Sequence, residues 1–169
     1  MRTKKIVLSG LLISIGTLAS HIVVIPAGVA KCYPLQHTIN VISAILLGPG
    51  YAITNAFLIS LLRNMLGVGS ILAFPGSIFG AMFAGVAYMY LGKSYAASIG
   101  EVIGTGLVGS LAAFPLSKFL LGSEIGVFFF IPPFIISSIG GAIIGLLIVK
   151  SLGNHKKERR KYDRSIKSF

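Results

Sequence analysis

The spacing of its helix breakers is what most constrains this chain. Long runs of Ile, Leu, Val, Ala and Gly are cut by Pro or Gly at intervals close to one membrane crossing. A helix rising 1.5 Å per residue needs about 20 apolar residues to cross the hydrocarbon core of a bilayer. Residues 6–25 satisfy this and stop at Pro26. Residues 37–47 form a second run that reaches only about 17 Å unless residues 33–36 extend it. Residues 51–66 form a third, also short. Residues 70–91 form a fourth, interrupted by Pro75. Residues 95–114 form a fifth that ends before Pro115, and residues 127–149 a sixth with Pro132 and Pro133 near its start.

Composition agrees with six spans and little else. Of the 169 residues, 54% are hydrophobic and 11% charged, too few charges to cover a soluble domain of this size. The expected class is an all-α integral membrane protein. The charge is also polarised. Arg2, Lys4 and Lys5 precede the first run, and seven Lys or Arg crowd the end, from Lys156 to Lys167. The positive-inside rule places both ends in the cytoplasm, which requires an even number of spans. Residues 1–153 then make one membrane domain and residues 154–169 a basic cytoplasmic tail. The tail is a topology signal with affinity for anionic lipid, not a nucleic-acid site. The alternation puts residues 26–36, 67–69 and 116–125 outside. Lys93 and Lys150 fall inside, with Lys31 and Lys118 as an outer minority.

Polar residues inside the spans are costly and mark cavities or helix contacts. Helical spacing puts His37, Asn40, Val41 and Ala44 on one side of the second span, with Gln36 one turn above Asn40. In the third span Ser60 and Arg63 share a face, and Asn64 lies one turn beyond Ser60. The fourth span starts at the same level with Ser70, Phe74 and Ser77, where Pro75 and Gly76 weaken the helix. An outward-facing pocket follows, with Tyr33, Phe74 and residues 128–130 as aromatic walls. Asn40 and Asn64 also suit bonds between helices, Arg63 suits snorkelling to headgroups, and His21 suits packing at the end of the first span. Glu101, the most isolated charge, reads as a proton site, a ligand group, a counter-ion for Arg63, or a neutral acid bonded to a neighbouring helix. Cys32 is the single cysteine, which leaves no intrachain disulfide or Cys-based metal site. No cofactor or metal is expected. Without HExxH, Gly-x-Ser-x-Gly or a second buried carboxylate beside Glu101, catalysis is not expected either.

The segments "PAGVAKCYPLQHTINV", "LGPGYA", "LLRNMLGVGSILAFPGSIFGA" and "AASIGEVIGTGLVG" together resemble the ThiW family over residues 5–145. Members are substrate-binding S components of energy-coupling factor (ECF) transporters. The resemblance implies the S-component fold and high-affinity capture of a vitamin or its precursor outside the cell. It also implies docking on a membrane T component and two cytoplasmic ATPases. For this family it implies the thiazole precursor of thiamine, hydroxyethylthiazole, as ligand. That molecule is small, aromatic and uncharged, and suits an aromatic wall with a few polar partners. Tyr33 and Phe74 are the stacking candidates. Gln36, His37, Asn40, Arg63, Asn64 and Glu101 are the polar ones, with Glu101 anchoring Arg63 or accepting the hydroxyl proton. The family's small-xxx-small docking pattern falls on Gly10 and Ser14, with Ser9 and Thr17 alongside; ordinary helix packing explains the same spacing.

Two other readings stay open. A self-sufficient ion-coupled carrier would use Glu101 for proton coupling and would be expected to show internal repeats; the polar end of the second span has no counterpart in the fifth. A structural membrane protein would have no small ligand. The chain carries no Walker motif, so ATP-driven transport needs other subunits.

Overall fold

The computed structural model describes residues 2–27, 30–122 and 126–166. It contains helices α1 (Arg2–Ile22), α2 (Pro34–Leu47), α3 (Pro49–Met65), α4 (Ala73–Leu91), α5 (Ser94–Ile103), α6 (Ser110–Leu121) and α7 (Ile131–Ile166). A π-helical stretch, Gly104–Gly109, joins α5 to α6. Its flanks stay right-handed (Gly104 φ −61°, ψ −47°; Ser110 φ −66°, ψ −42°), so the three segments run on as one rod. The result is six rods, as the breaker spacing predicts.

The boundaries differ from the sequence reading for identifiable reasons. The first span ends at Ile22 rather than Ile25, because residues 25–27 pair with 30–32 in a small antiparallel hairpin, β1 (Ile25–Ala27) and β2 (Ala30–Cys32). The second begins at Pro34, where a missing N–H and fixed φ suit the first turn of a helix. Gln36 is therefore helical, not part of a loop. Pro75 sits in the first turn of α4 and does not interrupt it. The fifth rod passes through Pro115 and continues to Leu121; neighbouring helices make proline tolerable in membrane segments. The sixth starts at Ile131, after a turn closed by Phe129 N–H to Gly126 O at 3.0 Å. Pro132 and Pro133 fall in its first turn, and α7 runs on to Ile166 without a break at residue 153.

Among the described residues, four stretches are long and apolar enough to cross a membrane: Thr3–Ile22, Ala73–Leu91, Ser94–Leu120 and Ile131–Gly153. Their outer faces are apolar. Ile6, Leu11, Ile15, Leu18 and Ile22 are exposed on α1, and Ile136, Ile139, Ile143 and Leu147 on α7. Such stripes require lipid, not water, as the surrounding medium.

The two remaining rods are short. α2 has 14 residues and α3 has 17, so at 1.5 Å per residue they span about 21 and 25 Å. They meet at Gly48, whose φ of +96° only glycine adopts without strain. α2 is surrounded by α1, α3, α4, α5 and α7. Its contacts with α3, α4 and α5 rest on small residues, with Ala44, Ala52, Ala56, Ala81, Ala84 and Ala97 fully buried, the packing that lets backbones approach in lipid. Gly141 brings α7 against α2: a Cβ there would sit 2.5 Å from His37 Cβ. Because α2 and α3 fall short of the bilayer thickness, space remains at one end of the bundle.

Candidate functional site

A cavity of about 500 Å³ fills that space. It is lined by the C-terminal ends of α1 and α3 and the N-terminal ends of α2, α4 and α7, with Thr105 reaching in from the π-helical stretch. At the opposite end Lys5 Nζ donates to Leu47 O (3.2 Å) and lies over the Tyr51 ring (5.8 Å). The basic termini mark that end as cytoplasmic, so the cavity lies in the outer half.

One wall is organised by Arg63, in the last turn of α3. The side chain is 1% exposed. Its guanidinium stacks on the Tyr33 ring with Cζ 3.8 Å from the centroid, a cation–π contact strengthened by desolvation. Nη1 donates to Gln36 Oε1, and Gln36 Nε2 in turn donates to Ser60 Oγ (2.8 Å). The α3–α4 connection wraps over this group. Val68 and Gly69 N–H donate to Arg63 O (3.0 and 2.9 Å), and the Tyr33 hydroxyl donates to Val68 O (3.2 Å). Tyr33 N–H donates to Ser137 Oγ on α7 (2.8 Å). Arg63 Nε is buried without a partner, and no carboxylate among the described residues pairs with the guanidinium.

The Arg63–Glu101 pair, one of the alternatives open for Glu101 in the sequence, is therefore not formed. Adjacent residues of α2 divide the two charges: Gln36 takes Arg63, while His37 takes Glu101. Glu101, with no exposed surface, lies in α5 beneath the cavity. Its Oε1 lies 2.7 Å from His37 Nδ1 and accepts from Asn40 Nδ2 (3.1 Å), with Thr105 Oγ1 at 3.0 Å. Asn40 Nδ2 also donates to Ser77 O (3.2 Å), and Thr105 Oγ1 to Gly76 O (3.0 Å), which ties α2 and the fifth rod to α4. The close approach depends on Gly80, where a Cβ would stand 2.6 Å from Glu101 Oε1. Glu101 Oε2 has no partner. His37, Ser77 and Thr105 line the cavity; Asn40 and Glu101 form the layer behind them.

The other sequence candidates separate. Asn64 Nδ2 donates to Ser60 O (2.8 Å) and Ser70 O (3.1 Å), so it fastens the α3–α4 connection instead of lining the cavity. Phe74 turns away and packs on Phe57 with centroids 5.6 Å apart. Phe128 is exposed, and the aromatic wall comes from Phe129, Phe130 and Phe134. His21 lines the cavity mouth. Cys32 is buried, and its S–H donates to Pro133 O (3.3 Å), joining the hairpin to α7. Burial pushes its thiol pKa up. On α1, Ser9 and Thr17 face the bundle interior, 8% and 5% exposed, while Gly10 and Ser14 lie on the exposed face.

Thr105, Phe134 and Ser137 are among the lining residues that escaped the sequence reading. Thr105 carries a signal, its i+4 spacing from Glu101, which places both on one face. Phe134 and Ser137 carry none, because nothing local says which face of α7 meets α2.

The family model described as "Thiamine-precursor transporter protein (ThiW)" matches residues 6–155. The chain belongs to the ThiW family. Among solved structures it is similar to one titled "Structure and mechanism of the S component of a bacterial ECF transporter". That likeness has a TM-score of 0.78 at 20% identity and covers 93% of this chain and 99% of the other. At this identity the likeness carries the fold, so the ThiW chain has the S-component architecture that the sequence resemblance implied. No curated protein matches.

Proposed function

We propose that this protein is the S component of an ECF transporter that captures hydroxyethylthiazole, the thiazole precursor of thiamine, from outside the cell. In this reading it passes the ligand to a membrane T component driven by two cytoplasmic ATPases, in a bacterial cell membrane. ATP-driven transport by this chain needs such partners, because its sequence carries no nucleotide-binding motif. Its role is binding, not catalysis.

The observation that carries the reading is the cavity. Its size and its mix of an aromatic wall with a few fixed polar groups suit a small heteroaromatic ligand. Phe129, Phe130 and Phe134 offer the ring a surface. Arg63, held on Tyr33 and Gln36, presents a donor for a ring nitrogen or a hydroxyl oxygen. His37, Ser77 and Thr105 offer the remaining polar contacts.

Titration of the purified chain against hydroxyethylthiazole, whole thiamine and the pyrimidine precursor tests this. Hydroxyethylthiazole should bind tightest, without sodium or a proton gradient, and the chain alone should not move it into liposomes. Preference for thiamine would keep the fold and replace the ligand. Gradient-driven uptake by the chain alone would favour the ion-coupled carrier, with Glu101 as its coupling group.

A further inference from the structure

Glu101 does not line the cavity, yet it holds the residue that does. Asn40 Nδ2 donates to Glu101 Oε1 at 3.1 Å. The amide is oriented by the Ser77 carbonyl, which can only accept from it. Glu101 Oε1 is thus an acceptor toward Asn40, which assigns the hydrogen between it and His37 Nδ1, 2.7 Å away, to the imidazole. In a neutral imidazole this leaves the lone pair on Nε2. Nε2 lies on the ring edge away from Glu101. It makes no hydrogen bond to another described residue, and the fully buried polar side-chain atoms without a partner among these residues are Thr17 Oγ1, Arg63 Nε and Glu101 Oε2, so Nε2 keeps some exposure. His37 lines the cavity with its side chain 10% exposed. Its free nitrogen therefore faces the cavity.

We propose that Glu101 is a positioning residue that holds the His37 hydrogen on Nδ1, so that His37 Nε2 selects ligands presenting an O–H or N–H at that point. The donor at Arg63 and the acceptor at His37 then give the cavity two poles, and the ligand class is a small heteroaromatic with one acceptor and one donor. The proposal deepens the reading above and takes the hydroxyl of hydroxyethylthiazole as the donor.

The test compares that alcohol with its methyl ether, which keeps the ring and the oxygen but has no hydrogen to give. The purified full chain should bind the ether at least about tenfold more weakly, because a buried acceptor left unpaired is costly. Glu101→Gln, whose amide oxygen can take the same Nδ1–H, should keep most of that discrimination. Glu101→Leu should reduce it to about twofold or less. Equal binding of alcohol and ether by the unmodified chain would overturn the proposal, as would full discrimination in folded Glu101→Leu. ¹⁵N spectroscopy of the ligand-free chain decides the tautomer even if Glu101→Leu does not fold. The chain has three histidines, so a His21→Asn, His155→Asn double variant isolates the His37 signal. Nδ1 protonated with Nε2 bare is expected; the opposite tautomer, or a doubly protonated ring, sinks the assignment. If neither thiazole binds, the function above fails, while the tautomer measurement still stands.

Discussion

Two buried polar clusters lie at opposite ends of α2, and they do different things with similar residues. The inner one joins α1, α2 and α3: Ser9 Oγ donates to Asn55 Oδ1, and Asn55 Nδ2 donates to Ser43 Oγ at 3.0 Å. All three side chains are buried, none lines the cavity, and every polar side-chain atom in the group has a partner. The outer cluster, around Arg63, His37 and Glu101, is just as buried, but Arg63 Nε and Glu101 Oε2 have no partner among the described residues, and Arg63 and His37 line the cavity. A polar residue within a membrane span marks either helix adhesion or a site. What separates the two here is unspent hydrogen-bonding capacity next to a cavity, not polarity itself.

The sharpest way to break that distinction is at Arg63. Arg63→Ala should weaken ligand binding about 100-fold, the value of one or two charge-assisted hydrogen bonds, while the helices remain folded by circular dichroism. Arg63→Lys should not rescue it, because a compact ammonium cannot lie flat on Tyr33 while donating to Gln36. If calorimetry finds Arg63→Ala binding normally, the guanidinium belongs with the structural cluster. The inner cluster should respond in the opposite sense. Asn55→Ala strands the Ser9 and Ser43 hydroxyls and should cost about 1–2 kcal/mol of stability, read as a lower unfolding temperature in detergent. Ligand affinity should stay within about twofold, because two distant sites with no shared partner are nearly independent.

The sequence carried the outer cluster's level but not its pairings. Six spans and two basic ends follow from run length and charge, and they suffice to put Gln36, His37, Arg63 and the start of α4 at one height. Which partner each residue meets depends on how far each helix is rotated and how closely it approaches its neighbour. Glu101 pairs with His37 because Gly80 admits the carboxylate against α4, while Gln36 takes the Arg63 guanidinium. Phe74 looks inward if α4 begins at Ser70. With Ala73 as its first residue and Pro75 in the first turn, it points at Phe57 instead. The three-residue strands of the hairpin are too short to show an alternation of period two. The family's motifs supplied the fold where local periodicity did not, but they carried no information on these contacts.

The smallest effect on the isolated chain is expected on α1, and it extends the comparison to a third kind of surface. Ser9 and Thr17 face the bundle, so of the four residues at small-residue spacing only Gly10 and Ser14 are available to a partner. Ser14 Oγ is already bonded to Gly10 O (3.0 Å), and a Cβ at Gly10 would meet nothing within 4 Å. Nothing inside the chain therefore needs a small residue at position 10, and glycine costs a helix interior about 1 kcal/mol relative to alanine. A glycine on an exposed face, with no contact among the described residues that needs it, fits close approach by another helix. Gly10→Leu and Ser14→Leu should leave folding and ligand affinity within about twofold, because neither residue touches the cavity. Uptake by cells that supply the T component and ATPases should fall to background if this face docks there. Normal uptake with both leucines in place would return α1 to the lipid-facing surface, and docking would have to be sought on another rod.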